Sequence, residues 1–131
     1  MTPPASRGSA MTGYGISLPP RRLTNEELET RLDTSDEWIV ERSGIKERHL
    51  SHPEGWPPVP DPASFPTATM AAEAGAAALQ KAGWRPGDID LLILCTTTPD
   101  RTVPATSADV ADRLGLRCGA MDLNEIGRAH V

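Results

Sequence analysis

Five apolar residues in a row, Leu91-Leu92-Ile93-Leu94-Cys95, follow the acidic Asp88-Ile89-Asp90. A run of this length with no polar interruption suits a strand covered on both faces, as in a parallel sheet. The flanking sequence supplies the helices such a sheet needs. From Thr69 to Ala82 the alanine-rich stretch predicts a helix closed by Gly83, and its small side chains permit close packing. Pro104 suits the first turn of a second helix over 104–114, which Gly115 ends, and Gly119 to Leu123 reads as another short strand. Met11 to Leu18 reads as an earlier strand that stops at Pro19-Pro20. The order β-α-β-α-β defines a layered α/β unit with right-handed crossovers.

Between the first strand and the alanine-rich helix lie two helix starts. Thr24 with Glu27 and Thr34 with Glu37 both have the spacing of a capping box, in which hydroxyl and carboxylate satisfy free amides reciprocally. The helices are expected over 25–32 and 35–42, the second stopped by Gly44. Six prolines (53, 57, 58, 60, 62 and 66) then forbid helix and sheet interior alike, so 51–66 is expected to be an extended surface loop pinned by Trp56 and Phe65. Residues 1–10 read as a loose tail and 11–124 as one partial domain. Gly13-Tyr14-Gly15 lacks the third glycine of a dinucleotide fingerprint and is read as close strand packing.

Composition removes several classes of function. A content of 38% apolar and 24% charged residues is that of an ordinary soluble domain. The net charge of -5 argues against nucleic acid or an anionic membrane surface as a partner. No apolar run is long enough to span a bilayer, and the polar stretch after Arg21-Arg22 does not fit twin-arginine export, so a cytoplasmic location is expected. Cys95 and Cys118 have the spacing of neither a zinc site nor a redox pair, so both are expected to be reduced and buried, with no metal and no resident cofactor.

The residues that offer chemistry are Thr34, Trp38 and Arg42. Spaced four apart, they share one helix face and present a hydroxyl, a flat aromatic and a fixed cation together. An indole can stack on a purine, and a guanidinium can grip a phosphate bidentately, a combination suited to the adenine nucleotide end of coenzyme A. The same stripe also fits half-buried packing by Trp38 and a surface ion pair at Arg42. Lys46 and Arg48 extend the basic cluster, either for phosphates or as a solvated face. Thr96 and Thr97 end the buried strand, and carboxyl ends of parallel strands are where α/β folds place ligands, although such threonines more often simply satisfy backbone groups there.

The run from Asp33 to Arg48, DTSDEWIVERSGIKER, resembles the signature of the β-ketoacyl-ACP synthase III family in the thiolase-like superfamily. Leu18-Pro19, Thr24-Asn25, Asp88-Ile89-Asp90, Thr96-Thr97-Thr98-Pro99-Asp100, Pro104 and Asp122-Leu123-Asn124 follow in that family's order. The resemblance covers about 11–124, the first third or so of such a protein, and implies a truncated N-terminal part of a thiolase-like fold with a proline-rich inserted loop. It implies that Thr34, Trp38, Arg42 and Ser43 line the entrance for acyl-CoA, with Ser43 where threonine is common. It also implies that Thr97 and Val103 belong to the acyl pocket and dimer interface, although Val103 fits ordinary interface packing equally well. The longer 51–66 loop leaves the branch of the family open.

By the same resemblance, the full-length parent is a homodimer that loads acyl-CoA onto a cysteine and condenses it with malonyl-ACP, assisted by a His and Asn pair. The cysteine falls about three residues after the position of Asn124, where Gly127 stands. No catalytic residue is therefore assigned within this chain, and on its own the chain is expected to be inactive. Residues 126–131, IGRAHV, resemble the translation of a common sequencing adapter, so 125–131 is expected to be a non-native tail. Without sheet partners, the Leu91 to Cys95 strand is expected to expose an edge and apolar surface. A non-catalytic module that binds coenzyme A or a nucleotide, or that occupies a synthase's dimer surface, is the alternative from a different class.

Overall fold

The computed structural model describes residues 8–52 and 65–124. The first part holds β1 (Arg21–Thr24), α1 (Asn25–Glu29), α2 (Asp36–Ser43) and β2 (Glu47–Leu50). The second holds α3 (Thr67–Ala82), a 3-10 turn (Pro86–Asp88), β3 (Leu91–Cys95), α4 (Thr106–Leu114) and β4 (Gly119–Leu123).

β3 and β4 pair in parallel, with Leu91 opposite Gly119 and Cys95 opposite Leu123. α3 and α4 pack together, and their junction holds the buried side chains Ala68, Val110 and Ala111. The alanine-rich sequence lets the helices approach so closely that a Cβ on Gly75 would stand 2.9 Å from Leu114 Cδ1. Both helices begin slightly away from their expected starts, α3 two residues earlier and α4 two residues later. All three longer helices end on glycines with positive φ, as at Gly44 (71°), where a side chain would be strained.

The strand Leu91–Cys95 is where expected but is covered on one face only. Leu91, Ile93 and Cys95 are exposed, together with Met121 and Leu123 on the neighbouring strand. The physical reason is the count of layers: α4 packs on this sheet, and among the described residues no second layer covers the other face.

Met11 to Leu18 is not a strand, because no neighbouring strand among the described residues accepts its backbone hydrogen bonds. Its exposure still alternates with a period of two. One side lies against α3, where a Cβ on Gly15 would meet Ala74 O at 2.0 Å and one on Gly13 would meet Ala78 O at 2.4 Å. The close packing expected of these glycines is therefore made to a helix. Ser17 Oγ donates to Glu73 (2.6 Å) and Lys81 lies over the Tyr14 ring (3.5 Å), which fastens the segment to the same helix.

The helix expected over 25–32 stops at Glu29. Thr30 Oγ1 donates to Glu27 O (2.7 Å), and the Leu28 carbonyl is shared between Arg31 N and Leu32 N (both 2.9 Å), so the chain goes on as a turn after the helix. Thr24 caps α1 through Glu27 N (3.2 Å), but the Glu27 carboxylate bridges Arg21 and Arg31 rather than returning to the cap. β1 and β2, absent from the sequence expectation, form an antiparallel pair. Of the proline-rich loop, 53–64 and hence Trp56 lie outside the described residues, as do 1–7 and the expected adapter tail 125–131. Phe65 N donates to Ser51 O (2.6 Å), which closes the base of the loop.

Candidate functional site

α2 carries the side chains singled out for binding. Its cap is Ser35, not Thr34: Ser35 Oγ accepts from Trp38 N (3.1 Å), while Thr34 stands just before the helix. The Glu at the capping-box position favoured Thr34, yet Ser35 is the residue with the extended backbone a cap needs. Thr34 Oγ1 is consequently buried without a hydrogen-bond partner.

Trp38 is 54% exposed, and the Arg42 guanidinium carbon lies 4.6 Å from its ring centroid, within cation–π range. The four-residue step thus brings these two together as the spacing implied. Asp33, Thr34, Ser35 and Trp38 line an open pocket of about 360 Å³. Ser43 is less available. Its hydroxyl donates to Ile39 O (2.7 Å) and accepts from Ile45 N (3.2 Å), so it serves the end of the helix and retains one acceptor lone pair.

Arg48 does not join Arg42 in a free basic cluster, because its Nη1 donates to Asn25 Oδ1 (2.7 Å). Asn25 was not singled out as a site residue by sequence reasoning. Its side chain is 1% exposed and reaches three segments around α2. An asparagine beside a threonine cap, where helix propensity is poor, is the faint signal that could have marked it.

Thr97 and Val103 stand elsewhere, on the loop between β3 and α4, and both are exposed, Val103 at 83%. Two aspartates hold that loop. Asp100 accepts from Thr67 N and Ala68 N (both 2.8 Å) at the start of α3, and Asp100 N donates to Thr106 Oγ1 (3.2 Å). Asp122, on β4, accepts from Thr106 N (2.8 Å) and Ser107 N (2.7 Å) at the start of α4. Burial alone would raise the Asp122 carboxyl. The neighbouring Ser107 hydroxyl, whose Oγ reaches no hydrogen bond of good geometry, and the two amides outweigh burial and hold the pKa below its ordinary value. Cys95 ends β3 and Cys118 precedes β4, so neither stands at a helix start, and neither is buried as expected: Cys95 is exposed on the uncovered face of the sheet and Cys118 is half-buried. Among the described residues no group of acidic, His or Cys side chains could hold a metal ion, and no helix is long and apolar enough to cross a membrane.

Solved structures share this arrangement. 3-Oxoacyl-[acyl-carrier-protein] synthase III from Aquifex aeolicus VF5 is similar with a TM-score of 0.75 and 38% identity, over 88% of this chain and 34% of its own. The priming β-ketosynthase of the R1128 polyketide pathway follows with a TM-score of 0.72 and 31% identity, over 86% of this chain and 31% of its own. The fold is therefore the layered α/β fold of the thiolase-like condensing enzymes. No protein-family model matches the chain.

Curated relatives narrow that class. β-Ketoacyl-[acyl-carrier-protein] synthase III of Rhizobium meliloti (strain 1021) is 46% identical over 112 residues, and that of Chelativorans sp. (strain BNC1) 43% over 119. These matches cover 86% and 90% of this chain, and 32% and 34% of the relatives. The chain belongs to the β-ketoacyl-ACP synthase III family and spans about a third of the length of the curated relatives it matches.

Proposed function

We propose that α2 and its pocket form the coenzyme-binding lip of a cytoplasmic, homodimeric condensing acyltransferase of fatty-acid or polyketide synthesis. In the whole enzyme a cysteine thiolate attacks the acyl-CoA thioester and releases the coenzyme as its thiolate. Decarboxylation of malonyl-ACP then supplies the carbanion that takes the acyl group and frees the cysteine. The cysteine, with its His and Asn helpers, belongs to a part of the enzyme beyond this chain. Alone, the chain binds the coenzyme without turning it over.

The observation that carries this reading is the Arg42 guanidinium stacked on the half-exposed Trp38 ring beside the pocket. The indole offers a face to a purine. Asp33 repels phosphate and accepts hydrogen bonds, so it favours the amino-bearing edge of an adenine and leaves phosphate to Arg42. Thr97 and Val103, on the loop beyond β3, would wall the acyl pocket next to the partner subunit.

Calorimetric titration tests the lip directly. The chain should bind coenzyme A and adenosine 3′,5′-bisphosphate, but not pantetheine alone. Trp38→Ala should weaken the nucleotide by roughly tenfold or more, the worth of one base stacked on an aromatic ring. Equal affinity in the variant would remove the coenzyme assignment. Reading the locus past the codon for Asn124 tests the enzyme assignment: a cysteine at a helix start supports it, and a gene that ends at Val131 favours a non-catalytic module.

A further inference from the structure

We infer that Asn25 is the positioning residue of this site, the clasp that sets how α2 presents Trp38 and Arg42. The inference rests on the coenzyme reading for its consequence, but its geometry stands apart from it. Asn25 is the first residue of α1 and almost fully buried. Its Nδ2 donates both hydrogens, to Asp36 Oδ1 (2.7 Å) and to Ile45 O (2.8 Å), and its Oδ1 accepts from Arg48 Nη1 (2.7 Å). Its backbone N–H donates to Lys46 O (3.2 Å). Only this orientation of the amide satisfies all three side-chain contacts, because a carboxylate and a carbonyl need a donor and the guanidinium needs an acceptor.

The three partners bracket α2. Asp36 is its first residue, Ile45 follows its closing glycine, and Arg48 lies on β2 behind it. A helix of eight residues does not hold itself in water, and Ile39 is the one buried side chain of α2. Apolar packing at one point leaves the helix free to roll about its axis. Contacts at both ends remove that freedom. Trp38 and Arg42 lie between the two ends, so the direction they face is set by an amide that touches neither.

The experiment uses the full 131-residue chain. The indole N–H resonance of Trp38, assigned by its loss in Trp38→Phe, reports the pose of the helix, and titration with adenosine 3′,5′-bisphosphate reports binding. Asn25→Asp keeps size and the Arg48 contact but turns an acceptor toward Asp36 and Ile45 O. It should shift the indole resonance and weaken the bisphosphate by about tenfold, the scale of one charge-assisted contact, while amide exchange in β3 and β4 is unchanged. Adding Asp36→Asn restores a donor–acceptor pair on the Asp36 side of the clasp, leaves Ile45 O facing a carboxylate, and should recover part of both losses, which a merely structural role would not.

If Asn25→Asp does not fold, Asp36→Ala carries the same test from an exposed position. An indole resonance unmoved in a folded variant, or a swap no better than the single change, overturns the inference. Should the resonances behave as expected while the unaltered chain binds no nucleotide, the coenzyme reading falls and the clasp stands.

Discussion

The two halves of the molecule start their helices differently. In the first, α1 and α2 each take a side-chain cap from the residue next door, Thr24 and Ser35, and α2 also receives the Glu29 carboxylate of α1 at Asp36 N. In the second, α3 and α4 begin at Pro66 and Ala105, which offer no side-chain cap, and each receives a distant aspartate, Asp100 from the loop after β3 and Asp122 from β4. A local cap stabilises its own helix and nothing else. A remote carboxylate ties the helix, the strand and the loop between them into one unit, and it meets two amides with full charge where the helix dipole favours it. The proposed coenzyme lip sits on the half with local caps, and the remote carboxylates belong to the layered half.

That contrast can be broken most readily at Asp122. Asp122→Ala should cost about 3 kcal/mol in urea unfolding, since two charge-assisted bonds to buried amides are lost together. Because its folded-state pKa lies below the ordinary 3.8, this stabilisation is complete above that pH and is lost as pH falls through the lower folded-state value. The alanine variant should therefore show a flatter acid limb.

Gly15→Ala should cost less, about 2 kcal/mol, because its Cβ meets a backbone oxygen of α3 that cannot yield. The 11–18 segment should lift away and become the first site of limited proteolysis. Ser35→Ala should have the smallest effect on the melt, about 1 kcal/mol, as expected for a local cap. Equal costs for Asp122→Ala and Ser35→Ala would erase the distinction between the halves.

The same distinction explains what the sequence made legible. The β3 run, β4 and the alanine-rich helix declare themselves through contiguous composition, and the Trp38–Arg42 contact follows from a four-residue step. Local caps leave a local trace, though tandem hydroxyls at Thr34 and Ser35 made the choice between them depend on backbone geometry. Asp100 and Asp122 act across 33 and 16 residues at their longest reach, and no spacing rule finds such pairs. Asn25 reaches Asp36, Ile45 and Arg48 for the same reason unseen. β1 and β2 escaped because RRLT and ERHL are short and charged, with no apolar alternation to announce a strand.

The Arg42 side chain has a consequence for whatever settles on α2. By resting on the indole it already occupies one side of the ring, so a planar guest is left with the reverse side alone. For the proposed coenzyme the surface is thus handed: its heterocycle would stack from a single direction, and a mirror-related approach meets a positive charge instead of a flat wall.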